Sequence, residues 1–179
     1  MSDFVAVPAL RNMKGLGEGA GVRARLRSDL PIVSVLARTG RNVADQLGIA
    51  EGPRKSSLPG MTALGIGPER WLFVGRPIAA LRSELQAIAS LSDHSDGYAL
   101  FELWGPNVRD ALAKGVPVDL HPDIFSNDVA VTLIAHMGAI VWQSDTDRFT
   151  VAVFRSYAGS FWHWLSASAA AFGLVVEEA

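Results

Sequence analysis

The 179-residue sequence contains no cysteine. That excludes a disulfide framework, a thiolate metal site and cysteine-based nucleophilic catalysis. Charge is scarce as well: 19% of residues are Asp, Glu, Lys or Arg, against roughly a quarter in ordinary soluble domains. Lysine is nearly absent, with three residues against 13 arginines. Either the suitability of guanidinium for interface pairs or a GC-rich coding sequence would produce that bias. No apolar run approaches the ~18 residues that a membrane-spanning helix requires. Residues 1–20 alternate short apolar runs with charge, so no leader is expected there. A net charge of −2 favours neither nucleic acid nor an anionic membrane. The expectation is a cytoplasmic chain that binds neither.

What is present is apolar. Hydrophobic residues make up 49% of the chain and mean hydropathy is +0.23. The length suits one buried domain, or two half-domains sharing a core. A generous core and an apolar interface account equally well for the excess.

Periodicity is weak over residues 1–29, where Gly15, Gly17, Gly19 and Gly21 alternate. This stretch reads as an N-terminal arm that orders only against a partner. In an extended chain Arg23, Arg25 and Arg27 would face one way, as a solvated stripe or a contact for an acidic neighbour. From residue 30 the pattern sharpens into a domain over 30–179. Ile32–Ala37 reads as a strand, Arg41–Leu47 as a helix stopped by Gly48, and Glu51–Gly60 as a loop. Thr62–Ile66 and Arg70–Val74 form a hairpin across Gly67-Pro68. Pro77 opens a helix whose buried stripe is Ile78, Leu81, Leu85 and Ile88. Tyr98–Trp104 then closes a ferredoxin-like βαββαβ half over 30–104. In the second half, 105–179, Pro106–Ala113 reads as a short helix and 118–127 as a loop. Strands come next at Val129–Ala135, Ala139–Gln143 and Phe149–Phe154. A long helix, Tyr157–Phe172, buries Ala158, Phe161, Leu165, Ala169 and Phe172, and Leu174–Val176 adds an edge strand. The fold class is α+β, largely antiparallel and covered by helices on one side.

Motifs for chemistry are few. The glycine run lacks the preceding strand that a dinucleotide fingerprint requires, its best fit being Gly15, Gly17 and Ala20. His94, His121, His136 and His163 are scattered, with no pair at helical ligand spacing. No Gly-x-Ser-x-Gly elbow occurs. Ser156 and Ser160 read as helix caps. Asp93, Ser95 and Asp96, and separately Asp119, His121 and Asp123, sit in loops that could hold an acid or base; turn and cap roles are the plainer reading. Trp162 and Trp164 lie about 200° apart on one helix, so one of them leaves the core face. That one serves either as an interface anchor or as a second core layer. No catalytic, cofactor-binding or metal-ligating residue is assigned.

Four segments in order carry a resemblance: GPERWLF (Gly67–Phe73), SDHSDGYALFELWGP (Ser92–Pro106), KGVPVDLHPDIF (Lys114–Phe125) and FRSYAGSFWHWL (Phe154–Leu165). The series resembles the gamma subunit of heterotetrameric sarcosine oxidase over residues 30–174. The resemblance implies a truncated aminomethyltransferase-like fold, and Asp93-x-Ser95 with Gly105-Pro106 is similar to the way such proteins begin a repeat. It implies a subunit without catalytic residues of its own. The complex would oxidise sarcosine to glycine, hydrogen peroxide and a one-carbon unit accepted by tetrahydrofolate. FAD, FMN, NAD, tetrahydrofolate and zinc are then expected on partners, namely larger alpha and beta subunits and a small delta subunit. The isolated chain could self-associate. Two other readings stand beside this one. In the first, a stand-alone folate-binding protein would turn Asp93 or Asp119 into a pterin-sized cavity. In the second, a small enzyme would depend on His121.

Overall fold

The computed structural model describes residues 9–10 and 13–177. Among these described residues eleven strands form two sheets. One has six strands in the order β11-β1-β7-β10-β9-β8, from Leu174–Val176 (β11), Val22–Arg27 (β1), Tyr98–Trp104 (β7), Arg148–Phe154 (β10), Met137–Asp145 (β9) and Val129–Ile134 (β8). The other has five in the order β3-β4-β5-β2-β6, from Lys55–Leu58 (β3), Met61–Gly67 (β4), Arg70–Val74 (β5), Ile32–Ala37 (β2) and Ala89–Asp93 (β6). All pairings are antiparallel except β1 with β11.

Helices Val43–Leu47 (α1) and Ile78–Leu85 (α2) cover the outer face of the five-stranded sheet. Val108–Ala113 (α3) and Ala158–Ala169 (α4) cover that of the six-stranded sheet. The inner faces meet through Ile32, Leu64, Leu72 and Val74 on one side and Leu100, Val129, Ile140, Trp142 and Ala152 on the other. The architecture is therefore four layers, helix, sheet, sheet, helix. Burial makes these cores: Phe73, Phe101, Phe149 and Phe161 are fully enclosed, each worth about 2–3 kcal/mol in apolar area removed from water.

The two sheets share one topology. Read as β6-β2-β5-β4-β3 and β1-β7-β10-β9-β8, their strands come from equivalent places in two successive β2αβ3α units, with the first strands exchanged. The hairpin β4–β5 turns at Glu69 (φ 54°) and β9–β10 at Asp147 (φ 51°), each beside a register shift.

This exchange corrects two expectations. Val22–Arg27 is no arm: it fills the place between β7 and β11, with Val22, Ala24 and Leu26 buried under the helices. The alternating glycines ahead of it run against the C-terminal segment. A Cβ at Gly15, Gly17 or Gly21 would stand 2.5, 2.4 or 2.5 Å from the carbonyl oxygens of Leu174, Ala170 and Phe172. Leu16 and Leu174 exchange backbone hydrogen bonds there, at 3.1 and 2.7 Å. The glycines permit a close backbone approach, and residues 13–27 order on the chain's own core. The remainder of the expected arm, residues 1–8 and 11–12, lies outside the described residues.

The second correction concerns the strand that closes the ferredoxin-like half. It is Ala89–Asp93, paired with β2, and Tyr98–Trp104 belongs to the other sheet. The half boundary at 104 therefore divides the sequence but not the sheets. The expected loop 51–60 contains β3, whose Lys-Ser-Ser-Leu sequence carries no apolar alternation to announce it. Expected helices 41–47, 106–113 and 157–172 appear as α1, α3 and α4, the last flanked by 3-10 turns at Arg155–Tyr157 and Ala170–Phe172. Asn42 caps α1 by accepting from the Asp45 N–H at 3.0 Å. Ser156 and Ser160 do not cap α4, because the 3-10 turn places Tyr157 at the cap position without a side-chain bond.

Candidate interaction surface

The loop residues singled out in the sequence form turns. Asp93 accepts from the backbone N–H and the hydroxyl of Ser95, at 2.9 and 2.6 Å. The Ser95 hydroxyl in turn accepts from the Ile32 N–H at 3.1 Å, which ties the end of β6 to the start of β2. These bonds hold the Asp93 carboxyl below its ordinary range. Asp119 accepts from the His121 N–H at 2.9 Å, and His121 Nδ1 from the Asp123 N–H at 3.3 Å. His121 and Asp123 stand well out in solvent. No group of three or more His, Asp or Glu able to hold a metal occurs among the described residues. Among these same residues no helix is long and apolar enough to cross a membrane.

Neither tryptophan of α4 stands free. Trp162 stacks against Phe101 at 6.4 Å and Trp164 tilts against Phe161 at 5.6 Å, so both flank the helix-side core. This is the core-layer alternative rather than the exposed anchor.

Two regions of the inner face of the six-stranded sheet extend beyond the five-stranded sheet. One is charged. Arg23, Arg25 and Arg27 do share a face, as the spacing of two predicts, and their partners lie on this chain. Arg25 donates to Glu102 at 2.5 and 3.1 Å, Arg27 to Glu102 and Asp29 at 2.8 Å each, and Arg23 to Glu177 at 2.9 Å. Arg148 sits 4.4 Å over the Trp104 ring, with Arg25 5.8 Å from it. The doubled partnership pushes the Arg27 guanidinium further up from an already high value.

The other region is apolar, at the mouth where the sheets part. Four of the seven large apolar side chains exposed among the described residues gather here: Val131 (58%), Leu133 (54%), Phe154 (49%) and Leu36 (46%). Strand alternation puts Val131 and Leu133 on the face of buried Val129, and Leu36 on the face of buried Ile32. Tyr98 stacks on Phe154 at 5.1 Å, and burial pushes its phenol pKa up. Two adjoining clefts of about 230 and 530 Å³ share Ile66, Val131 and Thr132. Arg70 lines the smaller one. Neither cleft is lined by Asp93, Asp119 or His121, so the acids expected to face a pterin do not face these spaces. Sequence reasoning missed the mouth because Val131 and Leu133 read as ordinary strand alternation.

The paired β2αβ3α units with exchanged first strands define a class, the α+β fold seen in aminomethyltransferases. Glycine cleavage system aminomethyltransferase T from Bartonella henselae superposes with a TM-score of 0.63 and 15% identity, over 89% of this chain and 48% of that one. A chain of the heterotetrameric sarcosine oxidase from Corynebacterium sp. U-96, in complex with pyrrole 2-carboxylate, superposes with a TM-score of 0.76 and 22% identity, over 88% of both chains. At such identities these likenesses show the fold. Residues 61–171 match the sarcosine oxidase, gamma subunit family, and the chain belongs to that family. Sarcosine oxidase subunit gamma from Corynebacterium sp. strain P-1 is 28% identical over 134 residues, 70% of this chain and 63% of that protein. The strain U-96 subunit is 26% identical over 122 residues, 65% and 60% respectively. The matched region thus spans a little under two thirds of either relative.

Proposed function

We propose that the chain is a non-catalytic structural subunit of a cytoplasmic sarcosine oxidase complex, buttressing the folate-binding part of a large subunit. The family match over residues 61–171 carries this reading. Support comes from the apolar mouth, since clustered exposed apolar side chains mark interfaces. In this reading the complex demethylates sarcosine oxidatively to glycine, and tetrahydrofolate accepts the one-carbon unit. FAD, FMN, NAD, tetrahydrofolate and zinc belong to the alpha, beta and delta partners. The test is affinity purification of the tagged chain from its native cell, with absorbance and mass spectrometry of the co-purified chains. Two larger, flavin-bearing chains are expected in fixed proportion. A colourless chain recovered alone would overturn the reading.

A further inference from the structure

Strand β8 is the last of its sheet, and the middle of its outer edge is open. The Val129 N–H points outward, to the Pro53 carbonyl at 2.9 Å, and that of Ala135 to the Gly115 carbonyl at 3.3 Å. By strand alternation the backbone groups of Val131 and Leu133 point outward too, away from β9. Among the described residues no backbone partner meets them. Proteins ordinarily guard an open edge with lysine, proline, a bulge or a covering loop. Here the sequence Val-Ala-Val-Thr-Leu-Ile carries no charge and no proline, and the side chains at the two open positions are more than half exposed.

The groove beside this edge also has a polarity. Arg70, exposed at the start of β5, lines the same cleft as Val131 and Phe154. No ion pair to a carboxylate is seen for it among the described residues, as for Arg38, Arg41 and Arg82, whereas Arg23, Arg25, Arg27, Arg54, Arg76, Arg109, Arg148 and Arg155 each have one; of the four, Arg70 is the one that lines this cleft. Gly138, opposite Leu133, leaves open space where a side chain would stand. An unpaired backbone edge, an apolar floor and a cation lacking a carboxylate together specify an occupant: an extended peptide with apolar side chains at alternate positions and one carboxylate.

We propose that β8 receives an extended segment of a larger partner chain as a seventh strand of the six-stranded sheet, with a carboxylate of that segment on Arg70. This rests on the subunit reading above and names the surface that serves it.

The test is backbone hydrogen exchange on the assembled complex and on the free chain, with affinities for two variants. On assembly, the amides of Val131 and Leu133 should change from fast exchange to protection. Leu133→Pro removes an outward N–H and no bond to β9, together with the exposed leucine side chain, so β9 pairing survives while partner affinity falls about tenfold; Leu133→Ala, which keeps the N–H, should lose less. Arg70→Gln should weaken binding by roughly fivefold and flatten its salt dependence. Exchange on the unaltered complex keeps the test valid if Leu133→Pro fails to fold. Protected partner contacts elsewhere, with Val131 and Leu133 still exchanging, would overturn this proposal and leave the subunit reading intact. Protection that depends on the concentration of the lone chain would overturn it in favour of a second copy. Failure of the unaltered chain to bind any larger chain would sink both.

Discussion

The indole of Trp164 on α4 packs directly on the backbone of Gly115, just past the end of α3. A Cβ placed on Gly115 would stand 2.6 Å from Trp164 Cζ2 and 2.8 Å from Cε2. The contact joins the two helices that cover the six-stranded sheet, and Gly115 also accepts the Ala135 N–H from the β8–β9 turn. Gly115→Ala should therefore cost about 2 kcal/mol by overpacking. Denaturant titration measures it, and Trp164→Phe in the same chain should recover part of the loss. Additive losses in the double variant would show that the two residues do not interact.

The β8–β9 turn stores strain of another kind. Ala135 (φ 46°) and His136 (φ 70°) are its two central residues, both in the left-handed region, which matches a type I′ hairpin that prefers Asn-Gly. His136 is exposed, so its replacement disturbs no packing. His136→Gly should raise stability by about 0.5–1 kcal/mol, relief of the left-handed cost outweighing the added chain entropy. A fall in the unfolding midpoint would contradict this account of the turn.

Glu102 is the centre of the charged face, within 4 Å of guanidinium groups from Arg25, Arg27 and Arg148. Its side chain is 15% exposed, so screening by water is only partial. Glu102→Gln leaves three cations without their shared anion and should cost about 1–3 kcal/mol at low salt. The deficit should shrink as salt is added. Equal deficits at low and high salt would mean that packing, not charge, is lost.

Asp93 predicts an acid-side effect. Hydrogen bonds from Ser95 lower its folded-state pKa below 3.8. A depressed carboxyl contributes stability that is complete above the unfolded value and disappears as pH falls through the folded one. Stability should therefore decline below about pH 4. Ser95→Ala should flatten that decline and raise the Asp93 titration midpoint, read by carbon-13 NMR. It should also remove about 1 kcal/mol at all pH values, because the Ile32 N–H loses its acceptor. An unmoved midpoint would dissociate Asp93 from Ser95.

Much of the fold was legible because its signals are local. Leu81 and Leu85 at helical spacing are buried under α2 as the stripe predicts, and Phe149, Val151 and Val153 share one buried face, as alternation along the expected strand 149–154 requires. Other elements were hidden for physical reasons. Ala89–Asp93 is a strand because β2 and its ladder bonds hold it, since Ala-Ser-Leu-Ser-Asp has little strand preference of its own. Its burial pattern leaves only Ala89 enclosed, so no apolar alternation could mark it. Signals of the repeat were present in Glu69-Arg70-Trp71 and Asp147-Arg148-Phe149, which occupy equivalent turns.

The sequence by itself determined the α+β class, the hairpin across Gly67-Pro68, the helices and the family. Residue order carries periodicity, and ordered motifs carry kinship. Only the tertiary structure decided where the strands go. The exchange of β1 and β6 between sheets depends on pairings between distant parts of the chain, such as Arg27 with Leu100 and Ala37 with Ala89. So does the closeness of Gly15–Gly21 to the C-terminal segment. The mouth is likewise a tertiary fact. Val129 and Val131 are the same residue type on the same strand face, and one is buried while the other stands exposed because the second sheet ends between them.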